Sequence, residues 1–442
     1  MTDPTDPTDP TDSAQDAARL DAMLRSPGYL KALALCALIG APISLLAFWF
    51  LAGLHELEHA LWHDLPQAFG HASPPWWWPL PLLAFAGAAV GLIAARLPGG
   101  GGHIPAEGLK VGGASSGALP GVLLAATASL PFGAVLGPEA PLIALGGGLA
   151  VLVRDLTRAP ATPRSTALLG AAGSAAAISA IFGNPLIGAV LLIEVAGVAG
   201  PQLIAVMLPA LLASGLGYLV FTGFGRWTGL ETGSLSLNLS SAAPRIDAGD
   251  VLWSVLLAMA VGAAVRGMFA VARPVAAFVA ARPIARSAGC ALAAGGCAAL
   301  YTLITDRTPV DVASSGQATM AELAADPHAW GVGALVAVLL FKTAAYALSL
   351  GSLRGGPVFP ALFLGAAAGV LLAPLPGLGV VPGMAAGMAA AATAVLRLPV
   401  SCSVLVVLLL GSAEMIPVVL LAAVTALVTA ELLPRPRALS PR

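Results

Sequence analysis

Long apolar runs, interrupted by short polar or Gly- and Pro-rich segments, dominate the pattern along the chain. Such runs occupy residues 29–54, 79–96, 119–130 and 201–222. A helix of about 20 mostly apolar residues crosses the hydrocarbon core of a bilayer. Because lipid offers backbone groups no hydrogen-bond partner, segments of this kind are expected to be helical. The pattern therefore predicts an all-α, polytopic membrane protein.

Some apolar segments are too interrupted to be simple spanning helices. Residues 170–194 are typical of two helices with small side chains, split at Gly183, Asn184 and Pro185. Small residues allow helices to pack closely. Glycine (51 residues) and proline (36 residues) are frequent throughout the chain. We therefore expect broken and re-entrant helices whose free backbone groups line a polar path.

Composition narrows the class of protein. Hydrophobic residues make up 58% and charged residues 10% of the 442 residues, whereas a soluble domain carries about 25% charged residues. This apolar composition makes the lipid bilayer the expected partner, and a net charge of −1 indicates no nucleic-acid partner. The four cysteines lie in apolar segments without metal-ligand spacing and are expected to be packing residues, so no metal or other cofactor is expected.

Polar sequence is concentrated at the two ends and in one internal segment. Residues 1–27 open with TDPTDPTDPTD and predict a disordered cytoplasmic tail. A membrane domain is predicted over residues 28–433, followed by a short cytoplasmic tail at 434–442. Residues 223–247 are long and polar enough to form an external loop near the middle of the chain.

Basic residues predict the orientation of the chain in the membrane. Arg19, Arg25 and Lys31 lie before or at the start of the first span, and no lysine or arginine follows until Arg96. Lysine and arginine are enriched in the cytoplasmic flanks of spanning helices. We expect the N-terminus in the cytoplasm and the protein in the plasma (inner) membrane.

Glu139 is the acidic residue most suggestive of function. It lies between Gly137-Pro138 and Ala140-Pro141, where the prolines predict the start of a helix. The N-terminus of a helix attracts anions through its free N–H groups and dipole. A carboxylate there could occupy an anion site, leave it for a mobile anion, or take up a proton. Because an intramembrane acid is costly, we interpret Glu139 as a gate rather than as a first-turn acid favoured by the dipole.

The sequence HELEH, residues 55–59, suggests a second functional class. His55, Glu56 and His59 match the H-E-x-x-H zinc pattern, so an intramembrane zinc metalloprotease is a remote alternative. Such a site needs a third ligand, and the residues that follow Asn184 supply neither Asp nor His. A solvated end of the first span, close to the tryptophans at 76–78, is the simpler interpretation.

The second half of the chain repeats the first. Pro360 aligns with Pro141 at an offset of 219 residues, and each is followed by an apolar run of the same length up to Gly365 and Gly146. Residues 385–411 align with residues 170–194 when Pro399 is set against Pro185, a similar offset of 214. Repeats with paired broken helices are typical of transporters and channels whose site lies between the repeats. We predict repeat one at about 79–222 and repeat two at about 249–433.

Four segments resemble those of a known family. They are GGHIPAEG (residues 101–108), GPEAP (137–141), GNPLIGAVLLIE (183–194) and GGPVFP (355–360). In this order they resemble the motifs of the CLC family of chloride channels and proton/chloride antiporters, and the similarity covers about residues 79–433. The resemblance implies two inverted-topology repeats and a homodimer with one pore in each subunit. The few residues after 433 predict a member without regulatory nucleotide-binding modules.

The resemblance also assigns site residues. It implies that Glu139 is the external gating glutamate and that Gly102 stands where the family's inner gate has a serine hydroxyl. Pro357 stands at a position whose N–H is normally a donor. The residues implied at the anion path, by backbone or by motif, are Gly101, Gly102, Gly137, Pro138, Ala140, Gly356, Val358 and Phe359.

Proton coupling is where the chain departs most from the family pattern. Antiporters of the family carry a second glutamate at the position of Val195, and a valine cannot carry a proton. The resemblance therefore implies passive transport of chloride or another small anion, with a proton-coupled chloride or fluoride antiporter as the alternative. Glu194, otherwise a structural acid at a helix end, and His103 are the candidate substitute relays.

Two cations lie close to the motif of the second half. Lys342 and Arg354 could attract anions to a vestibule by long-range electrostatics. The ordinary explanation for each is a snorkelling side chain at the membrane interface.

Overall fold

The computed structural model describes residues 18, 20–108, 115, 117–156, 163–196, 201–230, 232, 237, 239 and 246–434. Most of the predicted tails and about half of the predicted external loop lie outside the described residues. Residues 20–24 are helical, and the helix before the loop continues to Thr228, so the loop begins later than the predicted residue 223. The helices of the first half are α1 (Pro27–His59), α2 (Leu65–Ala68), α3 (Pro79–Arg96), α4 (Leu119–Ser129), α5 (Glu139–Leu156), α6 (Pro163–Ile181), α7 (Pro185–Ala196) and α8 (Pro201–Thr228).

The helices of the second half are α9 (Ala248–Ala281), α10 (Pro283–Thr305), α11 (Gln317–Ala325), α12 (Val332–Ser352), α13 (Val358–Leu372), α14 (Val380–Leu396), α15 (Pro399–Leu410) and α16 (Ile416–Leu432). Many of the helices in both halves begin at a proline, which fits the first turn because the missing N–H has no partner there. Short 3₁₀ turns and one π-helical turn, Ala60–Asp64, lie between them.

Seven stretches of the described chain are long and apolar enough to cross a membrane. They are Pro27–Ala68, Pro79–Arg96, Leu203–Thr228, Ala248–Ala281, Pro283–Thr305, Val332–Ser352 and Ala413–Leu432. Shorter apolar helices, among them α7, α13 and α15, fall below the length of these spans, and α13 is largely buried between the others. The prediction of an all-α polytopic membrane protein with broken helices is confirmed.

The packing relates the helices of the two halves in pairs. α1 packs against α6 and α8, as α9 packs against α14 and α16. α3 packs against α4 in the first half, and α10 packs against α12 in the second. In the same way, α5 packs against α6, and α13 packs against α14. α3 also contacts α10, and α7 contacts its counterpart α15, so the two halves meet along these helices. Because α1 matches α9, we propose that the first repeat begins at α1 rather than near residue 79.

Equivalent glycines make close helix contacts in both halves. A methyl group on Gly146 of α5 would lie 2.8 Å from the carbonyl carbon of Gly173 of α6. A methyl group on Gly365 of α13 would lie 2.5 Å from the carbonyl carbon of Gly387 of α14. These pairs are related by the two offsets that align the halves of the sequence. Each repeat therefore depends on glycine for backbone contact between its two inner helices.

The Gly365 contact gives a stability prediction. Gly365→Ala is expected to lower the melting temperature of the detergent-solubilised protein, by the equivalent of about 1–3 kcal/mol, because the methyl group forces α13 and α14 apart. The matched control is Gly267→Ala in α9, where a methyl group meets nothing within 4 Å. The control should be neutral or stabilising, since alanine is the better helix former. Equal melting temperatures for the two variants would contradict tight packing at Gly365.

Candidate functional site

The candidate site begins with a backbone contact between the two repeats. Gly137 and Gly356 pair as an isolated antiparallel bridge. The Gly137 N–H donates to the Gly356 carbonyl at 2.8 Å, and the Gly356 N–H donates to the Gly137 carbonyl at 2.6 Å. Two residues after each glycine a helix begins, α5 at Glu139 and α13 at Val358. The bridge therefore brings the positive N-terminal ends of two helices to one place.

The Glu139 side chain reaches from one helix start to the other. It is 1% exposed, and its Oε1 accepts a hydrogen bond from the backbone N–H of Val358. Its Oε2 is buried and has no hydrogen-bond partner within the described part of the chain. A buried carboxylate with one oxygen unsatisfied is incompletely stabilised, so its hold on the α13 terminus is open to competition.

The two bridging glycines leave the space for this carboxylate. A Cβ on Gly356 would overlap the Glu139 carboxylate, and a Cβ on Gly137 would lie 3.0 Å from Glu139 Cδ and 2.5 Å from Cδ2 of Phe359. Glycine is therefore required at both positions to leave space for the Glu139 carboxylate, in addition to any conformational requirement of the turn.

Aromatic residues close the α13 side of the site. Phe359 is fully buried, and its ring lies 5.6 Å, centroid to centroid, from that of Phe182 at the end of α6. Tyr346 of α12 is also fully buried, and its hydroxyl donates to the carbonyl of Pro357. Sequence reasoning did not single out Tyr346. The contact fixes the residue that precedes the α13 start, where Pro357 itself has no N–H to donate.

The structure places the other predicted anion-path residues in two groups. Ala140 is 5% exposed and lies next to Glu139 in the first turn of α5, close to Pro138. Gly101 and Gly102 lie elsewhere, in a turn where residues 99–102 all have positive φ angles. That turn packs on Val122 and Ala125 of α4. The His103 side chain follows it and is half-buried.

Arg354 joins the glycine turn to the segment before α13. Its Nε and Nη2 donate to the Gly100 carbonyl at 3.3 and 3.2 Å, and its Nη1 donates to the Leu353 carbonyl at 3.1 Å. The guanidinium is thus bound to backbone carbonyls of both repeats. Arg354 is therefore held on backbone carbonyls rather than snorkelling to the membrane interface, and its charge lies beside the glycine turn.

Lys342 corrects the sequence interpretation most clearly. It is fully buried at the centre of α12, and its Nζ donates to the carbonyl oxygens of Asp311, Val312, Ala313 and Ser314 at 3.1 to 3.3 Å. Snorkelling was the wrong expectation, because the ammonium lies too deep in the helix to reach water. The lysine instead supplies the hydrogen bonds that a short non-helical segment needs in a buried position.

The segment held by Lys342 is connected to the chain that leads to Glu139. The Ser314 N–H donates to the Gly133 carbonyl at 3.0 Å, and the Val135 N–H donates to Ser349 Oγ at 3.4 Å. Asp311 accepts from the Tyr301 hydroxyl and from Arg307 Nε, each at 2.8 Å. Residues 133–137 are therefore fixed from outside the candidate site.

Glu194 lies at the end of α7 and caps a helix of the other repeat. Its Oε1 accepts from the Val400 N–H at 3.0 Å, and its Oε2 accepts from the N–H and Oγ of Ser401 at 2.7 and 2.6 Å. These groups belong to the first turn of α15. The neighbouring Val195 is 38% exposed. The geometry is that of a structural acid that stabilises a helix start.

The HELEH segment lies in the last turns of α1. A group of side chains with metal-ligand geometry is present nearby, but it consists of His59, His63 and Asp64. Of the predicted zinc set His55, Glu56 and His59, only His59 belongs to this group. The arrangement differs from the H-E-x-x-H spacing in which the first and fifth residues bind the metal.

A comparison with protein families decides the class. The family described as "Voltage gated chloride channel" matches residues 110–431. The chain belongs to this family. Curated relatives include the ion-transport protein YfeO of Salmonella typhimurium (strain LT2) and of Salmonella newport (strain SL254), each 33% identical over 155 residues. The match covers 35% of this chain and 37% of each relative, so it spans little more than a third of their length.

Solved structures of family members share the fold. A slow cyanobacterial Cl⁻/H⁺ antiporter superposes with a TM-score of 0.74 at 19% identity, over 90% of this chain and 94% of its own. A CLC-type fluoride/proton antiporter gives 0.67 at 18%, over 91% and 96%. A eukaryotic CLC transporter gives 0.66 at 18%, over 92% and 72%. The predicted CLC fold, including its inverted repeats, is confirmed.

The buried lysine gives a second stability prediction. Lys342→Met keeps the length of the side chain but removes its donors, so four buried carbonyls lose a partner. We expect destabilisation by at least about 3 kcal/mol, seen as a lower melting temperature or as loss of monodisperse protein in detergent. Lys31→Met, at an exposed position on α1, is the control and should leave the melting temperature unchanged. A stable Lys342→Met protein would show that the carbonyls need no cation.

Proposed function

We propose that this family member carries a small anion, most simply chloride, across the membrane, and that Glu139 is its gate. The observation that carries the proposal is the hydrogen bond from the Val358 N–H to Glu139 Oε1. The carboxylate occupies the N-terminus of α13, where the dipole and free N–H groups would otherwise attract an anion. A mobile anion and the carboxylate then compete for the same donors.

In this proposal the anion replaces the carboxylate without any basic side chain in the site. The backbone of Val358 and Phe359 supplies the donors on α13, with Gly356 just before them, and Gly137, Pro138 and Ala140 frame the opposite side. Gly101 and Gly102 would line the path further along, through backbone groups alone. Polarised N–H groups of this kind substitute for the water around an anion while binding it weakly enough to release it.

The gate makes anion flux depend on pH. A proton on Glu139 removes the charge that holds the carboxylate against the α13 terminus, so chloride efflux from liposomes should rise as the pH falls. Glu139→Gln removes the titratable charge and keeps the size of the side chain, so its efflux should be high and insensitive to pH. Stopped-flow or electrode recording of chloride efflux between about pH 5 and 8 measures the difference.

Glu56→Gln is the matched control, because Glu56 is an exposed carboxylate on α1 outside the site. Its pH profile should match that of the unmodified protein. If Glu139→Gln keeps the original pH profile, Glu139 is not the gate.

We further propose that transport is passive. Val195 cannot carry a proton, and both oxygens of Glu194 accept hydrogen bonds from the first turn of α15. A carboxylate whose two oxygens both accept such hydrogen bonds is poorly placed to transfer protons. The alternative is a proton-coupled chloride or fluoride antiporter, since two proteins that share the fold are a Cl⁻/H⁺ antiporter and a fluoride/proton antiporter.

Passive transport and proton-coupled antiport differ in whether an anion gradient drives proton movement. In liposomes loaded with chloride, we expect chloride efflux without uphill proton movement, and the same should hold for a fluoride gradient. Uphill proton pumping by either anion would refute passive transport. In that case Glu194→Gln and His103→Ala, measured side by side, would show which residue relays the proton. As a control, a proton ionophore added to liposomes with the unmodified protein should abolish any uphill proton movement.

Assembly and orientation complete the proposal. We propose a homodimer with one anion path in each subunit, embedded in the plasma (inner) membrane with a cytoplasmic N-terminus. The clusters of basic residues before the first span support the orientation. We do not propose a protease, since members of the family are channels and transporters.

A further inference from the structure

The end of α1 carries a cluster of side chains that anion transport does not use. α1 ends at His59 and continues into the π-helical turn Ala60–Asp64. The rings of His59 and His63 lie 4.5 Å apart, centroid to centroid, and Asp64 lies beside both. All three side chains are exposed. An ion from solution therefore has direct access to them.

Their ligand atoms have the spacing of a metal site. Asp64 Oδ1 lies 3.4 Å from Nδ1 of His59 and 3.1 Å from Nδ1 of His63. One ligand atom from each of the three residues lies within 4.8 Å of the others. In a tetrahedral site with metal–ligand distances of about 2.0–2.1 Å, neighbouring ligand atoms are about 3.3 Å apart. Small side-chain rotations are enough to bring three ligands onto one ion.

The π turn explains why these residues meet. The N–H of Leu65 donates to the carbonyl of Ala60, five residues earlier, which is the π-helical pattern. One turn of such a helix brings residue i+5 close to residue i. His59 and Asp64 are separated by five residues, and His63 lies between them on the same face. A regular α-helix would have turned Asp64 away from His59.

A neighbouring amide orients one of the imidazoles. The side-chain amide nitrogen, Nε2, of Gln67 lies 3.1 Å from Nε2 of His63. With the amide turned by 180°, which exchanges its nitrogen and oxygen, the oxygen accepts the Nε2–H and the Nδ1 lone pair is directed at the cluster. Support of this kind from a second residue is usual for metal-binding histidines, because it fixes both the tautomer and the ring orientation.

We propose that His59, His63 and Asp64 form a binding site for a divalent transition-metal ion. Two imidazoles and one carboxylate suit Zn²⁺, Ni²⁺ or Cu²⁺ rather than Mg²⁺ or Ca²⁺, which prefer oxygen ligands. Water completes the coordination, since the cluster is open to solvent. The ligand set differs from the zinc pattern at His55 and His59, and no hydrolytic role is attached to it.

Titration calorimetry of the full chain in detergent, with any polyhistidine tag removed, tests the site with Zn²⁺ alone. We expect one ion per chain. His59→Ala and His63→Ala should each weaken binding at least about tenfold. The matched control is His71→Ala, an exposed histidine on the loop that follows α2, which should bind like the unmodified protein.

Two further readouts guard against a folding artefact. Zn²⁺ should raise the melting temperature of the unmodified protein and of His71→Ala, but not that of His63→Ala, whose melting temperature without metal should be unchanged. Electron paramagnetic resonance with Cu²⁺ as the probe should show coupling to two imidazole nitrogens. Absence of stoichiometric Zn²⁺ binding to the unmodified protein, or binding that survives both cluster substitutions, would overturn the proposal.

Discussion

The pairing of Gly137 with Gly356 is the contact on which the candidate site depends. Each glycine supplies one N–H and one carbonyl to the other, so two loops from opposite repeats are held at hydrogen-bond distance. The start of α5 and the start of α13 follow at once, and their positive ends converge. The same two glycines lack the side chains that would fill the space beside Glu139. The Gly137–Gly356 bridge therefore determines both the electrostatic field of the helix ends and the space available to the Glu139 carboxylate.

A site built from helix ends attracts any anion that fits, including one tethered to the protein. Glu139 is such an anion, and in the structure it uses the Val358 N–H. The neighbouring Pro357 has no N–H, so fewer donors are available to whatever occupies the site. In the proposed mechanism this shortage works in favour of exchange, because a carboxylate with an unsatisfied oxygen is displaced more easily than one with a full set of partners. Selectivity among anions then depends on the geometry of a few backbone groups.

The internal repeat of the sequence predicted that the starts of two helices, one from each half, meet at one site. The offset of 219 residues that aligns Pro360 with Pro141 also relates Gly356 to Gly137 and Val358 to Glu139, the residues that meet in the structure. The Lys342 contact was missed because a lone lysine was assigned to the interface, although its place in the middle of a 21-residue apolar helix argues against that. The π turn was missed for a different reason. A single change from the α-helical to the π-helical hydrogen-bond register does not alter the pattern of apolar residues in the sequence. The HELEH motif therefore suggested His55 and His59 as the metal ligands.

The contacts outside the site limit how Glu139 can move. Lys342 holds residues 311–314 through four carbonyls, and Ser314 in turn donates to Gly133. The backbone before α5 is therefore fixed at Gly133 by this segment and at Gly137 by the bridge. Moving α5 as a body would break contacts whose buried polar groups have no water to replace them. Rotation of the Glu139 side chain breaks its hydrogen bond with the Val358 N–H and moves the carboxylate away from the N–H groups of Phe359 and Glu139, but it leaves these backbone contacts intact. The proposed gate therefore works by side-chain rotation on a fixed backbone.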